Sequence, residues 1–155
     1  MQKILILENI RSVHNVGAIF RTADAVSIDK VVLVGITPAP IDRFGRARAD
    51  LAKAALGAEK TMPWQAVATI AEVVDPLRAE GFQIISLEQA ENSVDYKKAS
   101  VADRVAIIVG NEVDGVSKEA LALSDIVAEI PMAGDKESLN VSVATGVALF
   151  RLLDK

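Results

Sequence analysis

The sequence predicts an α/β fold, a mostly parallel sheet with helices on both faces, and two observations support this. Short β-branched runs alternate with stretches of helical periodicity along the 155 residues, and such alternation is typical of parallel sheets joined by helices. The β-branched runs are also apolar almost throughout, as in strands that are covered on both faces. The predicted strands occupy residues 3–7, 30–35, 82–87, 105–109 and 126–130.

Helical periodicity predicts helices over residues 15–26, 64–80, 117–123 and 139–153. The last of them has the clearest apolar pattern. Its apolar positions are Leu139, Val143, Val147, Phe150 and Leu153. Residues 36–48, which contain two prolines, follow neither pattern and form the longest predicted loop. Long loops of this kind often carry function.

Composition limits the chemistry that this chain can carry out. Its 155 residues, 51% hydrophobic and 25% charged, fit a single globular domain. The absence of cysteine excludes disulfides and thiolate chemistry, and the single histidine, His14, excludes a multi-histidine metal site. The apolar run at the N-terminus is too short for a signal peptide, and no run approaches the roughly 18 apolar residues of a membrane span. We therefore expect a cytoplasmic protein with no metal site and no membrane contact.

The charge distribution leaves two interpretations open. A net charge of −4 is unfavourable for a nucleic-acid-binding domain, because phosphates are normally bound by a basic surface. Basic residues nevertheless occur with no run of acids among them, namely Arg11, Arg21, Arg43, Arg46, Arg48, Lys53 and Lys60. They form either a local basic face on an acidic protein or a solvated loop whose arginines favour solubility.

Polar residues cluster at three predicted strand–helix junctions. The segments are Asn15-Val-Gly-Ala-Ile-Phe-Arg21, Gly110-Asn-Glu-Val-Asp-Gly115 and Ser138-Leu-Asn-Val-Ser142. A small α/β protein would most simply place apolar residues or a plain turn at such positions. Because the three junctions can meet at one end of the sheet, they indicate a functional site.

The first junction has a structural and a functional interpretation. Asn15 stands where the first helix is predicted to begin, and asparagine is a favoured N-cap. Arg21 projects away from the apolar stripe of that helix, which is the ordinary position of a surface arginine. Gly17 softens the helix start, and together with Arg21 it would also suit contact with an anion or a ribose.

The second junction does not have the sequence of a phosphate-binding loop. Val116-Ser117 stands where a P-loop has Lys-Ser or Lys-Thr, and the GxGxxG spacing of a dinucleotide site is absent. A kinase or dehydrogenase is therefore disfavoured. Glu112 and Asp114 beside flexible backbone suit a neutral or cationic ligand with hydroxyl or amine donors. The alternative is a tight turn with Asp114-Gly115 at its corner.

The third junction leads from a strand through a glycine loop into the last helix. Ser138 is a reasonable N-cap for that helix. Asn140 would lie just inside the helix, where capping does not explain an asparagine. The exposed amides of a helix start can hold a carboxylate or a ribose, and Pro131-Met132 would form an apolar wall for a purine ring or a thioether.

Together these residues resemble a known family. Asn15-x-Gly17-x-x-x-Arg21, Gly110-Asn-Glu112-x-x-Gly115, and Ile130-Pro-Met132 followed by Ser138-Leu-Asn140 are similar to motifs one, two and three of the SpoU, or TrmH-like, RNA ribose 2′-O-methyltransferases of the SPOUT superfamily. Order and spacing agree along essentially the whole chain. The resemblance implies an α/β fold with a C-terminal deep trefoil knot, S-adenosylmethionine bound in that knot, and an active site at a homodimer interface.

The resemblance also implies roles for individual residues. Those matching the cofactor pocket are Leu87 (by position only), Val109, Gly110, Glu112, Gly115, Ile130, Met132, Ser138 and Leu139. Those matching the catalytic residues are Asn15, Arg21, Glu112, Ser138 and Asn140. The implied reaction methylates a ribose 2′-hydroxyl of tRNA or rRNA, with tRNA the first expectation. The alternative is a protein of the same fold that binds RNA or S-adenosylmethionine without chemistry, although Arg21 and Asn140 disfavour it.

Two roles for Arg21 are compatible with the implied reaction. Arg21 could be the base that accepts the hydroxyl proton, or it could stabilise the developing alkoxide by charge and hydrogen bonds. A guanidinium is a poor base, so we favour the second role.

RNA recognition is expected to rest on the catalytic domain itself. Many relatives carry an N-terminal substrate-binding domain, whereas motif one begins here at Asn15, so we expect a single domain, 1–155, without that extension. RNA would be bound by this domain, its homodimer partner or an auxiliary RNA-binding protein. The candidates for RNA contacts are Arg11, His14, Arg21, Arg43, Arg46 and Arg48. With only six aromatic residues, a broad base-stacking surface is not expected.

Overall fold

The protein contains one parallel sheet with helices packed on both of its faces. A computed structural model describes residues 1–154. Its strands are β1 (Gln2–Glu8), β2 (Lys30–Val34), β3 (Trp64–Val67), β4 (Gln83–Leu87), β5 (Val94–Asp95), β6 (Arg104–Val109) and β7 (Ile126–Glu129). Its helices are α1 (Val13–Ala25), α2 (Ala49–Ala55), α3 (Ala58–Thr61), α4 (Ile70–Ala79), α5 (Lys118–Ala122) and α6 (Val141–Leu152), with a 3-10 helix at Tyr96–Lys98. The strand order is β3-β2-β1-β6-β4-β7-β5 and these pairings are parallel, which confirms the predicted fold class.

Alternate side chains of the central strands enter two separate cores. In β1, Leu5 and Leu7 face the core under α1, α2, α3 and α6, whereas Ile6 faces the core under α4 and α5. All three side chains are fully buried, and full burial of such a side chain stabilises the fold by about 1.5–3 kcal/mol. Coverage on both faces explains why the strand sequences are apolar almost without interruption.

One predicted helix is in fact a strand followed by a helix. The prediction of a single helix over 64–80 is wrong, because Trp64–Val67 forms β3 and pairs with β2. α4 begins only after Thr69, whose hydroxyl accepts a hydrogen bond from the Glu72 N–H. β3 is an edge strand without a fully buried side chain, so it lacks the continuous apolar run that identified the other strands. The periodicity also failed to predict α2, α3 and β5.

The last helix buries a different face from the one that its apolar periodicity marked. α6 begins at Val141, two residues later than predicted, and its N-cap is Asn140. The side chains that it buries are Thr145, Ala148, Leu149 and Leu152. Three members of the predicted stripe, Val143, Val147 and Phe150, are instead 51%, 39% and 45% exposed. α6 thus has a second apolar face that nothing in residues 1–154 covers.

The parallel arrangement places the three polar junctions at one edge of the sheet. β1, β6 and β7 all end at this edge, and each is followed by one of the junction segments. The expected convergence of the junctions is therefore observed, while the trefoil knot stays a prediction. No helix in the described part of the chain is long and apolar enough to cross a membrane.

Candidate active site

The Glu112 carboxylate joins the first two junctions. It accepts hydrogen bonds from the backbone N–H groups of Arg11 (3.1 Å) and Ser12 (3.0 Å) and from the side-chain amide of Asn15 (3.3 Å). Burial raises the pKa of Glu112, but these donors stabilise the carboxylate and together hold its pKa below the ordinary value. Glu112 is therefore ionised at neutral pH, and its charge fixes the start of α1.

Asn15 carries the connection on to the third junction. Its side-chain oxygen accepts a hydrogen bond from the Asn140 amide at 3.2 Å, and the residue is only 7% exposed. Of the two interpretations of Asn15, the one in which it caps α1 is wrong, because the N-cap is Ser12, whose hydroxyl accepts the N–H of Asn15. With Ser12 as the cap, the Asn15 side chain is available to bridge Glu112 and Asn140.

Asn140 caps α6 with one end of its amide and holds Asn15 with the other. Its side-chain oxygen accepts the N–H groups of Ser142 (2.9 Å) and Val143 (3.3 Å). The prediction that Ser138 caps this helix is therefore wrong, as is the placement of Asn140 inside it. Ser138 lies two residues before the cap, in an exposed loop. α6 begins later than predicted because its first free N–H groups donate to the Asn140 side-chain oxygen and not to the Ser138 hydroxyl.

A cavity of about 400 Å³ adjoins this hydrogen-bonded network. It is lined by all nine residues predicted for the cofactor pocket, namely Leu87, Val109, Gly110, Glu112, Gly115, Ile130, Met132, Ser138 and Leu139. Of the predicted catalytic residues, Glu112 and Ser138 line it, whereas Asn15, Arg21 and Asn140 do not. Within residues 1–154, no group of three or more His, Asp or Glu side chains is placed to hold a metal ion.

Two glycines allow the backbone to close around the cavity. A Cβ at Gly110 would come within 2.4 Å of the backbone of Gly115. Gly115 has a φ of +70°, and a Cβ there would lie 2.0 Å from the Glu88 carboxylate. The backbones of Asn111 and Gly115 exchange two hydrogen bonds, at 2.9 and 3.1 Å. The second junction is therefore both the tight turn of the structural interpretation and a wall of the cavity.

Glu88 and Gln89 belong to the cavity, but the sequence interpretation missed them. Glu88 accepts the Val116 N–H at 2.8 Å. The Gln89 side-chain amide donates to the Glu137 carbonyl at 2.7 Å, so it ties the loop before α6 to the end of β4. Both residues directly follow a buried strand, and this is the same signal that identified the three junctions.

Comparison with known proteins decides the family. The sequence profile of the SpoU rRNA methylase family matches residues 2–150, which is nearly the whole chain. The chain belongs to the SpoU rRNA methylase family. The resemblance of its three motifs to this family is thereby confirmed.

Three relatives show how far the similarity extends. The 23S rRNA (guanosine-2′-O-)-methyltransferase RlmB of Neisseria meningitidis is 36% identical over 146 residues, 94% of this chain and 56% of that protein. A crystal structure of an AdoMet-bound rRNA methyltransferase from Sinorhizobium meliloti is 31% identical, with a TM-score of 0.88 over 97% of this chain and 55% of that chain. The TrmH/SpoU tRNA modifying enzyme of A. aeolicus is 29% identical, with a TM-score of 0.85 over 99% and 74%. The chain spans only 56% to 60% of the length of the curated relatives that it matches.

The arginine of SpoU motif one lies outside the cavity of its own chain. Arg21 is exposed on α1 and does not line the cavity. Gly17 of the same motif was expected to soften the helix start. Its role in the structure is different, because it allows two helices to pack closely. A Cβ at Gly17 would lie 2.6 Å from the Leu51 carbonyl oxygen of α2. Gly17 therefore holds α1 against α2, while Arg21, one turn further along, faces solvent.

The predicted RNA-contacting residues of this SpoU chain lie on its surface. Arg11, His14, Arg21, Arg43 and Arg46 are exposed, and Arg48 is half-buried. Arg46 pairs with Asp42 at 3.0 Å and Arg48 with Asp50 at 3.6 Å. In the part of the chain that the structure describes, Arg43 has no carboxylate partner. Its charge is therefore available to a ligand.

Proposed function

We propose that this protein transfers a methyl group from S-adenosylmethionine to a ribose 2′-hydroxyl of RNA. The observation that carries the proposal is the hydrogen-bonded network of Glu112, Asn15 and Asn140, one residue from each motif, at the rim of the cavity. This network fixes polar groups beside a space large enough for a nucleoside-sized ligand.

The cavity fits S-adenosylmethionine in size and chemistry. Its volume of about 400 Å³ lies within the range of small-molecule sites. Leu87, Ile130 and Met132 offer apolar contacts for an adenine ring, and the Asp114 carboxylate offers negative charge to a cationic ligand. Gly110 lets the backbone of Gly115, which forms a wall of this space, approach closely. When bound, S-adenosylmethionine supplies a methyl group that its sulfonium already makes electrophilic.

The task of the protein's own residues is to place the ribose hydroxyl and to stabilise the charge that develops on it. Arg21 contacts that oxygen with its guanidinium and stabilises the alkoxide. Asn15 and Asn140 fix the polar edge against which the ribose lies. Glu112 is a positioning residue in this proposal, because three donors already engage its carboxylate.

The active form in this proposal is a homodimer. The second apolar face of α6 (Val143, Val147 and Phe150) is uncovered in the single chain. Leu139, which lines the cavity, is 39% exposed just before this helix. Arg21 does not line its own cavity. A second copy packed on α6 would bury the apolar face and bring the Arg21 of one chain to the cavity of the other.

Transfer RNA is the acceptor that we place first. The chain covers 74% of the A. aeolicus tRNA modifying enzyme but only 56% of the N. meningitidis 23S rRNA methyltransferase. Ribosomal RNA is the second acceptor, because identity to the latter enzyme reaches 36%. A cytoplasmic location, expected from the sequence, is part of this proposal. An auxiliary RNA-binding protein enters this proposal only if the isolated protein binds neither RNA.

The proposal is tested with purified protein, labelled S-adenosylmethionine, and total tRNA or total rRNA as separate acceptors. Digested RNA is analysed by nucleoside mass spectrometry. We expect a 2′-O-methylated nucleoside from one of the two pools, present with Arg78→Ala as the control and absent with Arg21→Ala. A methyl group on a base would contradict the proposed chemistry. Binding of S-adenosylhomocysteine without transfer to either pool would favour the non-catalytic alternative.

A further inference from the structure

The loop over residues 36–48 presents an aromatic side chain to solvent. Phe44 is 66% exposed, although full burial of a phenylalanine stabilises a fold by about 1.5–3 kcal/mol. A single exposed apolar residue is common and carries no meaning alone. Whether the exposure of Phe44 has a function therefore depends on two features. One is how the backbone of Phe44 is held, and the other is which groups lie against its ring.

The turn that carries Phe44 is fixed by several hydrogen bonds around Asp42. One Asp42 carboxylate oxygen accepts the N–H groups of Phe44 (2.8 Å) and Arg46 (3.0 Å). The Asp42 N–H donates to the Arg46 carbonyl at 2.8 Å, and the Gly45 N–H donates to the Asp42 carbonyl at 3.0 Å. Gly45 has a φ of +76°, which a turn of this kind tolerates at glycine. Phe44 is thus displayed at the tip of a defined turn, and its exposure does not result from a loose loop.

Two guanidinium groups lie against the Phe44 ring. The Cζ atoms of Arg43 and Arg46 are 4.8 and 4.9 Å from the ring centroid, within the distance of cation–π contacts. Arg46 is also held by Asp42. Among residues 1–154, Arg43 has no carboxylate partner, so it can leave the ring at little cost. An aromatic ring beside positive charge suits a single-stranded nucleic acid, whose bases stack and whose phosphates attract cations.

The root of this loop is hydrogen-bonded to the cavity edge. The Asn9 side-chain oxygen accepts the Ile36 N–H at 3.1 Å, and the Asn9 carbonyl accepts the Asn111 side-chain amide at 2.7 Å. The Thr37 hydroxyl accepts the N–H of Ile10, just before motif one, at 3.1 Å. The loop therefore leaves the sheet at the edge that also carries the cavity.

We propose that Phe44 stacks on a nucleobase of the RNA substrate, while Arg43 moves from the ring to a neighbouring phosphate. This inference rests on the proposed function, since it takes the substrate to be RNA. A stacked base would fix the strand at the cavity edge without relying on charge alone. That matters for a protein whose net charge is −4, because bulk attraction of phosphates is then weak.

The first test measures the binding of total tRNA and total rRNA by fluorescence anisotropy over a salt series. We expect Phe44→Ala to weaken binding roughly 5- to 150-fold, the range for loss of one stacked base. The salt dependence should stay unchanged, because no charge is removed. Arg43→Gln should instead lower the slope of log Kd against log salt by about one. Unchanged affinity of Phe44→Ala for the RNA that the wild-type protein binds would overturn the inference.

The second test asks whether residue 44 touches a base. Phe44→Trp is made in a Trp64→Phe background, which leaves a single tryptophan in the chain. RNA should bind this variant and quench its tryptophan fluorescence, and binding without quenching would overturn the inference. A changed sedimentation coefficient of Phe44→Ala would assign the residue to a protein interface and overturn it as well.

The failure of this inference can be distinguished from the failure of the proposed function. Wild-type binding of both RNA pools and of S-adenosylhomocysteine is measured in parallel. A wild-type protein that binds none of the three contradicts the proposed function as a whole. A wild-type protein that binds RNA with the same affinity as Phe44→Ala contradicts only the role of Phe44.

Discussion

The side-chain amide of Asn140 donates a hydrogen bond to the side-chain oxygen of Asn15 at 3.2 Å, and this bond joins two helix starts that are 125 positions apart. The oxygen of the same Asn140 amide caps α6. The nitrogen of the Asn15 amide is bonded in turn to Glu112. One side chain therefore serves both the stability of α6 and the geometry of the candidate active site, and substitution can separate the two contributions.

Asn140→Ser should retain the cap of α6 but lose the activity of the protein. Serine caps helices about as well as asparagine, but it lacks the amide that donates to Asn15. Asn140→Ala removes both functions and should cost about 1 kcal/mol of stability in addition. Thermal unfolding and methyl transfer are measured on both variants. Near-normal transfer by Asn140→Ser would show that the bond to Asn15 does not matter for the reaction.

Glu112 should make the stability of the protein depend on pH. Its pKa is lowered in the folded state, where burial is outweighed by the donors on Arg11, Ser12 and Asn15. The stabilisation from the carboxylate is therefore complete above the unfolded pKa of about 4.3, and it is lost as the pH falls through the lower folded value. Glu112→Gln lacks this charge. The wild-type protein should be more stable than Glu112→Gln at neutral pH, and this difference in unfolding free energy should disappear in acid. A difference that stays constant from neutral to acid pH would show that the Glu112 charge does not stabilise the fold.

The sequence predicted the parallel sheet from local signals, whereas the residues that line the cavity were predicted from the resemblance of the three motifs to the SpoU family. Buried strands such as β6 are continuous apolar runs, and this pattern is visible in the sequence without any knowledge of the tertiary structure. β3 was missed because it is an edge strand with only partial burial. Its sequence therefore satisfies a helical pattern as readily as a strand pattern.

The hydrogen-bonded network could not be predicted, because its members are far apart in the chain. Spacing alone made Asn15 and Ser138 reasonable N-caps, whereas Ser12 and Asn140 form the caps. The difference arises from Glu112, which lies about 100 positions from Ser12 and fixes the backbone at the start of α1. The apolar stripe of α6 exists on the helix, as its periodicity predicted. It does not face the core of the single chain, however, and Val143 is therefore exposed.

Gly110→Ala should abolish cofactor binding. The new Cβ would lie 2.4 Å from the backbone of Gly115, so the turn that forms one wall of the cavity must move. Gly134→Ala is the control, because a Cβ at this position in the loop before α6 meets no atom within 4 Å. Calorimetric titration with S-adenosylhomocysteine should detect binding by Gly134→Ala but none by Gly110→Ala. Equal affinity of the two variants would exclude this wall from the binding site.

Arg21→Lys should lose most of the activity while it retains cofactor binding. Lysine keeps the charge but lacks the planar set of donors of a guanidinium, and loss of a donor to a developing oxyanion typically costs about 10²–10³ in rate. Arg78→Lys, on the opposite face of the sheet, is the matched control. Rates are measured with saturating RNA, and RNA affinity is measured separately. Near-normal turnover by Arg21→Lys would remove the guanidinium from the reaction.

Mixing two inactive variants should restore activity if the site is built from two chains. Arg21→Ala keeps an intact cavity but lacks the arginine, and Gly110→Ala keeps the arginine but lacks the cavity. In a dimer that contains one of each, the Arg21 of the second chain can serve the cavity of the first. Random pairing should then recover about a quarter of the wild-type activity, since half of the dimers are mixed and each has one complete site.

The same mixture gives no activity if Arg21 serves the cavity of its own chain, because no subunit then carries both intact parts. Val147→Asp, placed on the exposed apolar face of α6, supplies the matching control for assembly. It should convert the dimer to a monomer in sedimentation velocity and prevent recovery when it is added to both members of the pair. Leu56→Asp introduces the same charge at a side chain that is 66% exposed at the end of α2, and it should leave assembly unchanged. Recovery by the Val147→Asp pair would show that α6 is not the interface through which Arg21 reaches its target.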